Sequence, residues 1–302
     1  MLRAKGNAKL GFPAKRTTFV LPTRPALPRL LQATFAVLAL AAPATAHAQA
    51  KLEARYTASL SGVTVGRGGW IVDLRDDRYT AAASGTTTGL LKMFAGGRGS
   101  SASRGAVANG QPVPRAYAAS INADKKKDEV EIAIENGAVK NYSVDPPSPP
   151  DPDRVPVTEA HRKGITDPMT ASLFRVEGTA ELMAPETCRR SSAIFDGRMR
   201  YDLRMTFKRM DKVKAEKGYQ GPVVVCSVHF TPLAGHIPTR SVIKYLTAQK
   251  DMEVWLAPVA GTRIVVPFRI AVPTPVGDAV LEANQFVVSP MPGVTPTSAR
   301  SL

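Results

Sequence analysis

Beyond position 48, Cys188 and Cys226, with His161, His229 and His236, have the most scope for redox, nucleophilic or metal chemistry. Three readings of the cysteines stand: a disulfide, two free thiols, or a metal site shared with His229 and His236. Cys226 and His229 are three apart in a segment of strand character, so their side chains point to opposite faces, which argues against shared ligation. A disulfide would close a loop of about 39 residues and stabilise the fold by roughly 4 kcal/mol in the chain-entropy account. Glu159, His161 and Asp167 are close in sequence and form a candidate acid/base or metal cluster, or simply a polar loop. No Gly-x-Ser-x-Gly elbow, His-Glu-x-x-His pair or Cys-His nucleophile arrangement is present, and no catalytic residue, cofactor or metal is assigned.

A second polar group is Asp196, Arg198, Arg200, Tyr201 and Asp202. Its plain reading is cross-strand ion pairing; its sharper reading is an anion-binding patch of Arg198, Arg200 and Arg204, since guanidinium groups match carboxylate and phosphate. Gly66, Gly68 and Gly69 lack the Lys-Ser/Thr pair and the following helix of a phosphate loop, so they read as a bulge or bend in a strand. Leu90, Met93 and Phe94 form an apolar cluster before Gly96-Gly97. They plug one end of the core, or they form the lip of an apolar cavity.

The elements that must position these residues are mostly strands. In Ala193 to Phe207, Asp196-Gly197 reads as a two-residue hairpin turn, and Met199, Tyr201, Leu203, Met205 and Phe207 alternate with Arg200, Asp202, Arg204 and Thr206. That period of two predicts Tyr201, Leu203 and Phe207 towards the core and Arg200, Asp202 and Arg204 towards water or one another. Further hairpin turns fall at Gly62, Asp76-Asp77, Asn109-Gly110 and Asn136-Gly137. Arg78 to Gly89 is a strand of small residues, suited to a tightly curved sheet or to a surface close to another element. Asp167-Pro168 starts one short helix, Met169 to Val176, with Met169, Leu173 and Val176 on one face; Ser241 to Thr247 reads as a strand. The fold class is mainly β: a curved antiparallel sheet or partly open barrel of about 10–12 strands with one short helix. One β-rich domain spans 49–288, with a Pro-rich excursion at 145–157 that cannot join a sheet and a flexible tail over 289–302.

The first 48 residues hold seven basic residues and no acidic ones, then an apolar run from Leu30 to Ala44 and a small-x-small site, Ala46-His47-Ala48. This is the layout of a secretory signal peptide cleaved near Ala48. The expected location is periplasmic or secreted, with no transmembrane anchor in the mature chain. Removing those seven cations from the chain's 40, against 25 acidic residues, leaves about +8 rather than +15. A mildly basic exported chain permits contact with anionic envelope material; without a basic stripe interleaved with aromatics, nucleic acid is not expected.

The set Phe195-Asp196-Gly197-Arg198, Arg200-Tyr201-Asp202-Leu203, Tyr219-x-Gly221-Pro222, Val225-Cys226 and Pro232 to His236 resembles the bacterial domain-of-unknown-function family 3108. Asp167-Pro168-x-Thr170 and Val254-Trp255-Leu256-Ala257-Pro258, with Pro267 and Arg269, are similar to that family too; Thr170 stands where it usually has Ser. The resemblance implies an exported envelope protein with curved antiparallel β architecture, and supplies no activity. Two functions follow as expectations: a binding or carrier module for lipid or another apolar ligand, or a structural envelope protein contacting peptidoglycan, outer-membrane lipid or protein partners. An enzyme is a third reading. An open apolar cavity favours the carrier; a filled core favours the structural role.

Overall fold

A computed structural model describes residues 49–88, 96–123, 126–179 and 181–291. Seven strands form a meander: β1 (Ala50–Leu60), β2 (Val63–Leu74), β3 (Arg78–Thr87), β4 (Gly97–Ala108), β5 (Gln111–Ala123), β6 (Lys126–Glu135) and β7 (Ala138–Asp145). Each pairs antiparallel with the one before it. Three of the turns are two residues long, Ser61-Gly62, Asn109-Gly110 and Asn136-Gly137, with positive φ at both positions. Asn and Gly tolerate that left-handed backbone, whose twist matches the flanking strands.

The second half adds β8 (Phe174–Arg175), β9 (Arg190–Phe195), β10 (Arg200–Lys214), β11 (Lys217–Gly218), β12 (Gln220–Ala234), α1 (Ser241–Ala248), β13 (Glu253–Pro258), β14 (Ile264–Thr274) and β15 (Gly277–Pro290). β15 returns along β1, with Ala54 opposite Phe286, so both halves share one sheet. Its path runs from β7 through β1 and β15 to β9; β8 pairs with β14, and β11 makes a two-residue parallel pairing with β15. The sheet is thus antiparallel apart from β11. Fifteen strands exceed the expected 10–12, and two of them, β8 and β11, are two-residue pairings that exist only because their partners are near.

The edges of this path, β7 and β9, are linked by a short stretch of chain. Lys163 bridges to Ala138 of β7, and Thr166 bridges to Ile194 of β9. Ile165 N–H donates to Gly137 O, Thr166 N–H to Ala193 O, and Phe195 N–H to Thr166 O. Exposed ladder groups that would invite pairing with another chain are satisfied in this way. Tyr117, Val130, Ile132 and Ile134 pack with Ile165 and Phe195 beneath the link. The loop between β9 and β10 seals it from outside: Arg198 pairs with Asp128 at 3.0 Å and donates to Pro146 O at 2.9 Å.

The largest apolar cluster draws on β1 to β3, on β12 to β15 and on Leu173. A second lies around Cys188, Met205, Val224, Cys226 and Leu256, with Phe174, Val176, Leu182 and Met183 packed on it. Cys188 and Cys226 are joined in a disulfide that ties the 3₁₀ turn Pro185–Cys188 to β12 across a separation of 38 residues.

Four local expectations are corrected. Met169 to Val176 is not an α-helix: Thr170–Ser172 is one 3₁₀ turn, and Phe174-Arg175 pairs with Ile264-Val265, a part of β14 beyond the reach of β15. Leu173 is buried in the first cluster and Val176 in the second, so the apolar residues serve different neighbours rather than one helical face. The one α-helix among the described residues, α1, occupies the segment read as a strand; Ile243, Tyr245 and Leu246 are its more covered apolar residues, while Val242 is exposed. The Asp196-Gly197 connection is a four-residue loop, since Phe195 pairs with Arg200. Asp196 Oδ1 accepts from the N–H groups of Arg198 (2.8 Å) and Met199 (2.7 Å), a side-chain-closed turn. Finally, the faces of β10 differ from expectation in a stretch flanked by two register irregularities, with Leu233 extra on β12 after the Arg200 pair and Lys208 extra on β10 after Phe207. Met205 is buried and Phe207, expected in the core, is 40% exposed; Arg200, expected to face water or a charged neighbour, is 9% exposed and pairs with Asp202.

Candidate functional site

Strand register builds the candidate site. On one face of β1 to β5, Leu52, Val72, Ala81, Ser103 and Tyr117 stand opposite one another, and all are buried. Two residues along, the row is Ala54, Trp70, Ala83, Ser101 and Ala119. Two further along it is Tyr56, Gly68, Gly85, Gly99 and Ile121. On β3 and β4 the side chains are small and shrink to Gly85 and Gly99, and beside them the packed core opens into a concave pocket of about 790 Å³. Pro267, Ile270 and Leu281 of β14 and β15 form the far wall, and Met169 and Ser172 enter from the 3₁₀ turn. The lining is predominantly apolar, and the volume lies within the roughly 300–1,000 Å³ typical of ligand pockets.

The glycine row is not a backbone requirement. Gly85 and Gly99 have no left-handed φ, and a Cβ would meet its nearest atom at 3.5 Å and 3.7 Å, an ordinary contact. Gly68 differs, since its Cβ would lie 2.7 Å from Ser84 O. Glycine inside a strand costs roughly 0.5–1 kcal/mol relative to alanine. At positions 85 and 99 that cost leaves open space.

A polar cluster fixes Met169 at the pocket. Asp167 is fully buried; its Oδ1 accepts from the N–H groups of Met169 and Thr170, each at 2.9 Å, and its Oδ2 accepts from Ser103 Oγ at 3.0 Å and from Thr170 Oγ1. Tyr79 OH completes the group against Ser103 Oγ and Thr170 Oγ1. Burial pushes the Asp167 carboxyl above its ordinary range, against the pull of its hydrogen bonds, and pushes Tyr79 up to about 12. Burial also raises Tyr56 and Tyr117; Tyr56 donates to Pro267 O at 2.7 Å. A carboxylate with both oxygens occupied by local donors holds a turn in place. None of these hydrogen-bonding partners is a histidine or a second carboxylate.

The other sequence-level candidates are dispersed. His161 Nδ1 accepts from Thr158 N–H, Glu159 pairs with Arg162, and neither shares a partner with Asp167. Arg198 is held by Asp128, and Arg200 by Asp202 at 2.7 Å, whereas Arg204 is exposed; an anion would have to compete with those carboxylates for two of the three. No group of three metal-ligating side chains occurs among the described residues. Leu90, Met93 and Phe94 lie outside the described residues; the strands flanking them contribute Thr87 and Gly97 to the pocket. The Pro-rich excursion docks on the end of β12, where Val155 N–H donates to His236 O and Gly235 N–H to Val155 O. An apolar cavity is one of the two readings of Leu90, Met93 and Phe94 in the sequence; the glycine row that opens it has as its traces there only the glycines of β2 and the small residues of β3.

These features define a curved, mainly antiparallel β protein with an apolar pocket on its concave face. The chain belongs to the DUF3108 family, described as proteins of unknown function, whose model matches residues 55–284. No curated protein matches the chain. Among solved structures it is similar to a beta-barrel-like protein of domain of unknown function DUF1849 from Brucella abortus, at 10% identity and a TM-score of 0.43, covering 80% of this chain and 98% of that one.

Proposed function

We propose that this is an exported, non-catalytic binding module that carries a lipid or another apolar ligand in the concave pocket. The observation that carries the reading is the pair Gly85 and Gly99, where side chains would fit and none is present. A protein selected for stability alone would fill such space, because an apolar void forfeits both dispersion contacts and transfer energy. Export is supported by the composition of the first 48 residues and by the disulfide, which forms and persists in oxidising compartments. No helix among the described residues is long and apolar enough to cross a membrane.

The test is mass spectrometry of organic extracts from protein purified without detergent, beside titration with a fluorescent fatty acid. A co-purifying apolar species, displaced by the probe, is the expected result. A ligand-free protein that ignores the probe overturns the carrier and favours the structural envelope role.

A further inference from the structure

The opposite face of the same strands carries a concavity of about 700 Å³ that meets the apolar pocket along the glycine row and shares Arg67 and Arg98 with it. Its two rows are Thr57, Arg67, Thr86, Arg98 and Asn122, and Arg55, Gly69, Ser84, Ser100 and Ser120. Arg67 and Arg98 flank Thr86 from adjacent strands, which places their backbones roughly 10 Å apart. Arg55 is diagonal to Arg67 across the β1–β2 pair, about 7–8 Å away. Hydroxyls and amides fill the space between, and no carboxylate lines it.

The carboxylates nearby are already engaged. Glu53 pairs with Lys51 at 2.6 Å, Glu129 with Lys127 at 2.8 Å, and Glu282 with Arg269 at 3.0 Å. Arg55 reaches Glu53 only as a longer-range charge. All three arginines are exposed, and none makes an ion pair among the described residues. Three uncompensated guanidinium groups gathered on one shallow surface repel one another and favour a phosphate-rich partner.

We propose that Arg55, Arg67 and Arg98 dock the protein on the phosphate headgroups of an anionic lipid surface. Three features select that occupant. The site is shallow and exposed, which suits many headgroups in a plane better than one small anion. The aromatic among its lining residues, Tyr56, is buried with its hydroxyl donating to Pro267 O, so the exposed stacking platform that single-stranded nucleic acid needs is missing. The arginine row also lies at the strand ends where the pocket opens, so docking would bring the pocket mouth to the lipid. This last point rests on the carrier reading; the charge argument does not.

The experiment is co-sedimentation of the protein, as the cell processes it, with vesicles of equimolar phosphatidylglycerol and phosphatidylcholine, against phosphatidylcholine alone. Binding is expected only to the anionic vesicles, weakening as salt is raised. The triple change Arg55→Ala, Arg67→Ala, Arg98→Ala should lower partitioning on the order of 100-fold, with unfolding temperature as the control for folding. If the triple variant does not fold, single changes to Gln should each lose roughly fivefold. A control triple, Arg204→Ala, Lys212→Ala, Lys214→Ala, should bind as the parent does. Equal losses in both triples would mean diffuse charge and overturn the site. So would unchanged binding in the first triple, or tripolyphosphate or an oligonucleotide engaging these arginines where vesicles do not. Arg55 lines this surface but not the apolar pocket, so Arg55→Gln, read by vesicle binding and by fatty-acid titration, distinguishes failure of one proposal from failure of the other.

Discussion

Gly85 of β3 stands directly opposite Gly99 of β4, and the space above both belongs to the pocket. Neither needs glycine for its backbone, and neither is pressed by a neighbour that forbids a methyl group. Replacing either with Ala should raise stability by about 0.4–1 kcal/mol, because the unfolded chain loses freedom and no clash is introduced. Gly68→Ala should do the reverse, since its Cβ would meet Ser84 O at 2.7 Å. Denaturant midpoints of the three variants check this; destabilisation at 85 and 99 as large as at 68 would mean that curvature, not space, demands glycine there.

Larger side chains at the same positions test the pocket. Gly85→Leu and Gly99→Leu should occupy it and lower fatty-acid probe affinity at least tenfold, with the circular dichroism of the sheet retained. Wild-type affinity in both variants would place the ligand elsewhere.

The disulfide should stabilise the fold by roughly 4 kcal/mol, given the 38-residue separation. Cys188→Ala with Cys226→Ala should lower the unfolding free energy by about that much and still fold, because the largest apolar cluster does not include the bridge. Loss of all cooperative unfolding would show that the chain from Phe174 to Arg190 is required for the whole fold.

On β10 the costs should follow burial. Met205→Ala should cost about 2–5 kcal/mol by transfer and cavity terms. Leu203→Ala should cost less, because Leu203 is only half-buried. Phe207, 40% exposed, should fall lower still, and Arg204→Ala should stay within about 0.5 kcal/mol. Urea unfolding that ranks Arg204 above Met205 would mean that this face meets a partner.

Asp167 makes a pH prediction whose sign runs against ordinary acid denaturation. Its carboxyl is raised in the folded state above the ordinary 3.8, first of all by burial. The folded protein therefore holds that proton more tightly, and the group's stabilising contribution is fully present below the unfolded pKa and is lost as pH rises through the folded one. Asn at 167 can still accept from the two N–H groups but does not titrate. The stability of wild type relative to Asp167→Asn should therefore improve as pH falls from about 7 to about 4. Thermal melts across that range decide it; a gap moving in favour of the variant on acidification would show that hydrogen bonding outweighs burial.

Local chemistry was legible in the sequence alone. The turns Asn109-Gly110 and Asn136-Gly137 were readable because residues that tolerate positive φ announce themselves without help from the rest of the chain. The mainly β class followed from period-two alternation. The Cys188–Cys226 disulfide was one of three readings of the only two cysteines and the favoured one once export was inferred. Tertiary structure decided the rest, because it depends on which strands become neighbours. Met169, Leu173 and Val176 have helical spacing, yet Leu173 and Val176 enter different clusters, so the helix is lost to a turn and a two-residue strand. Arg55, Arg67 and Arg98 are 12 and 31 residues apart in the chain and gather only through the registers of β1 to β4. The pocket has the same origin: a glycine in one strand is a local event, and three become an opening only when pairing sets Gly68, Gly85 and Gly99 side by side.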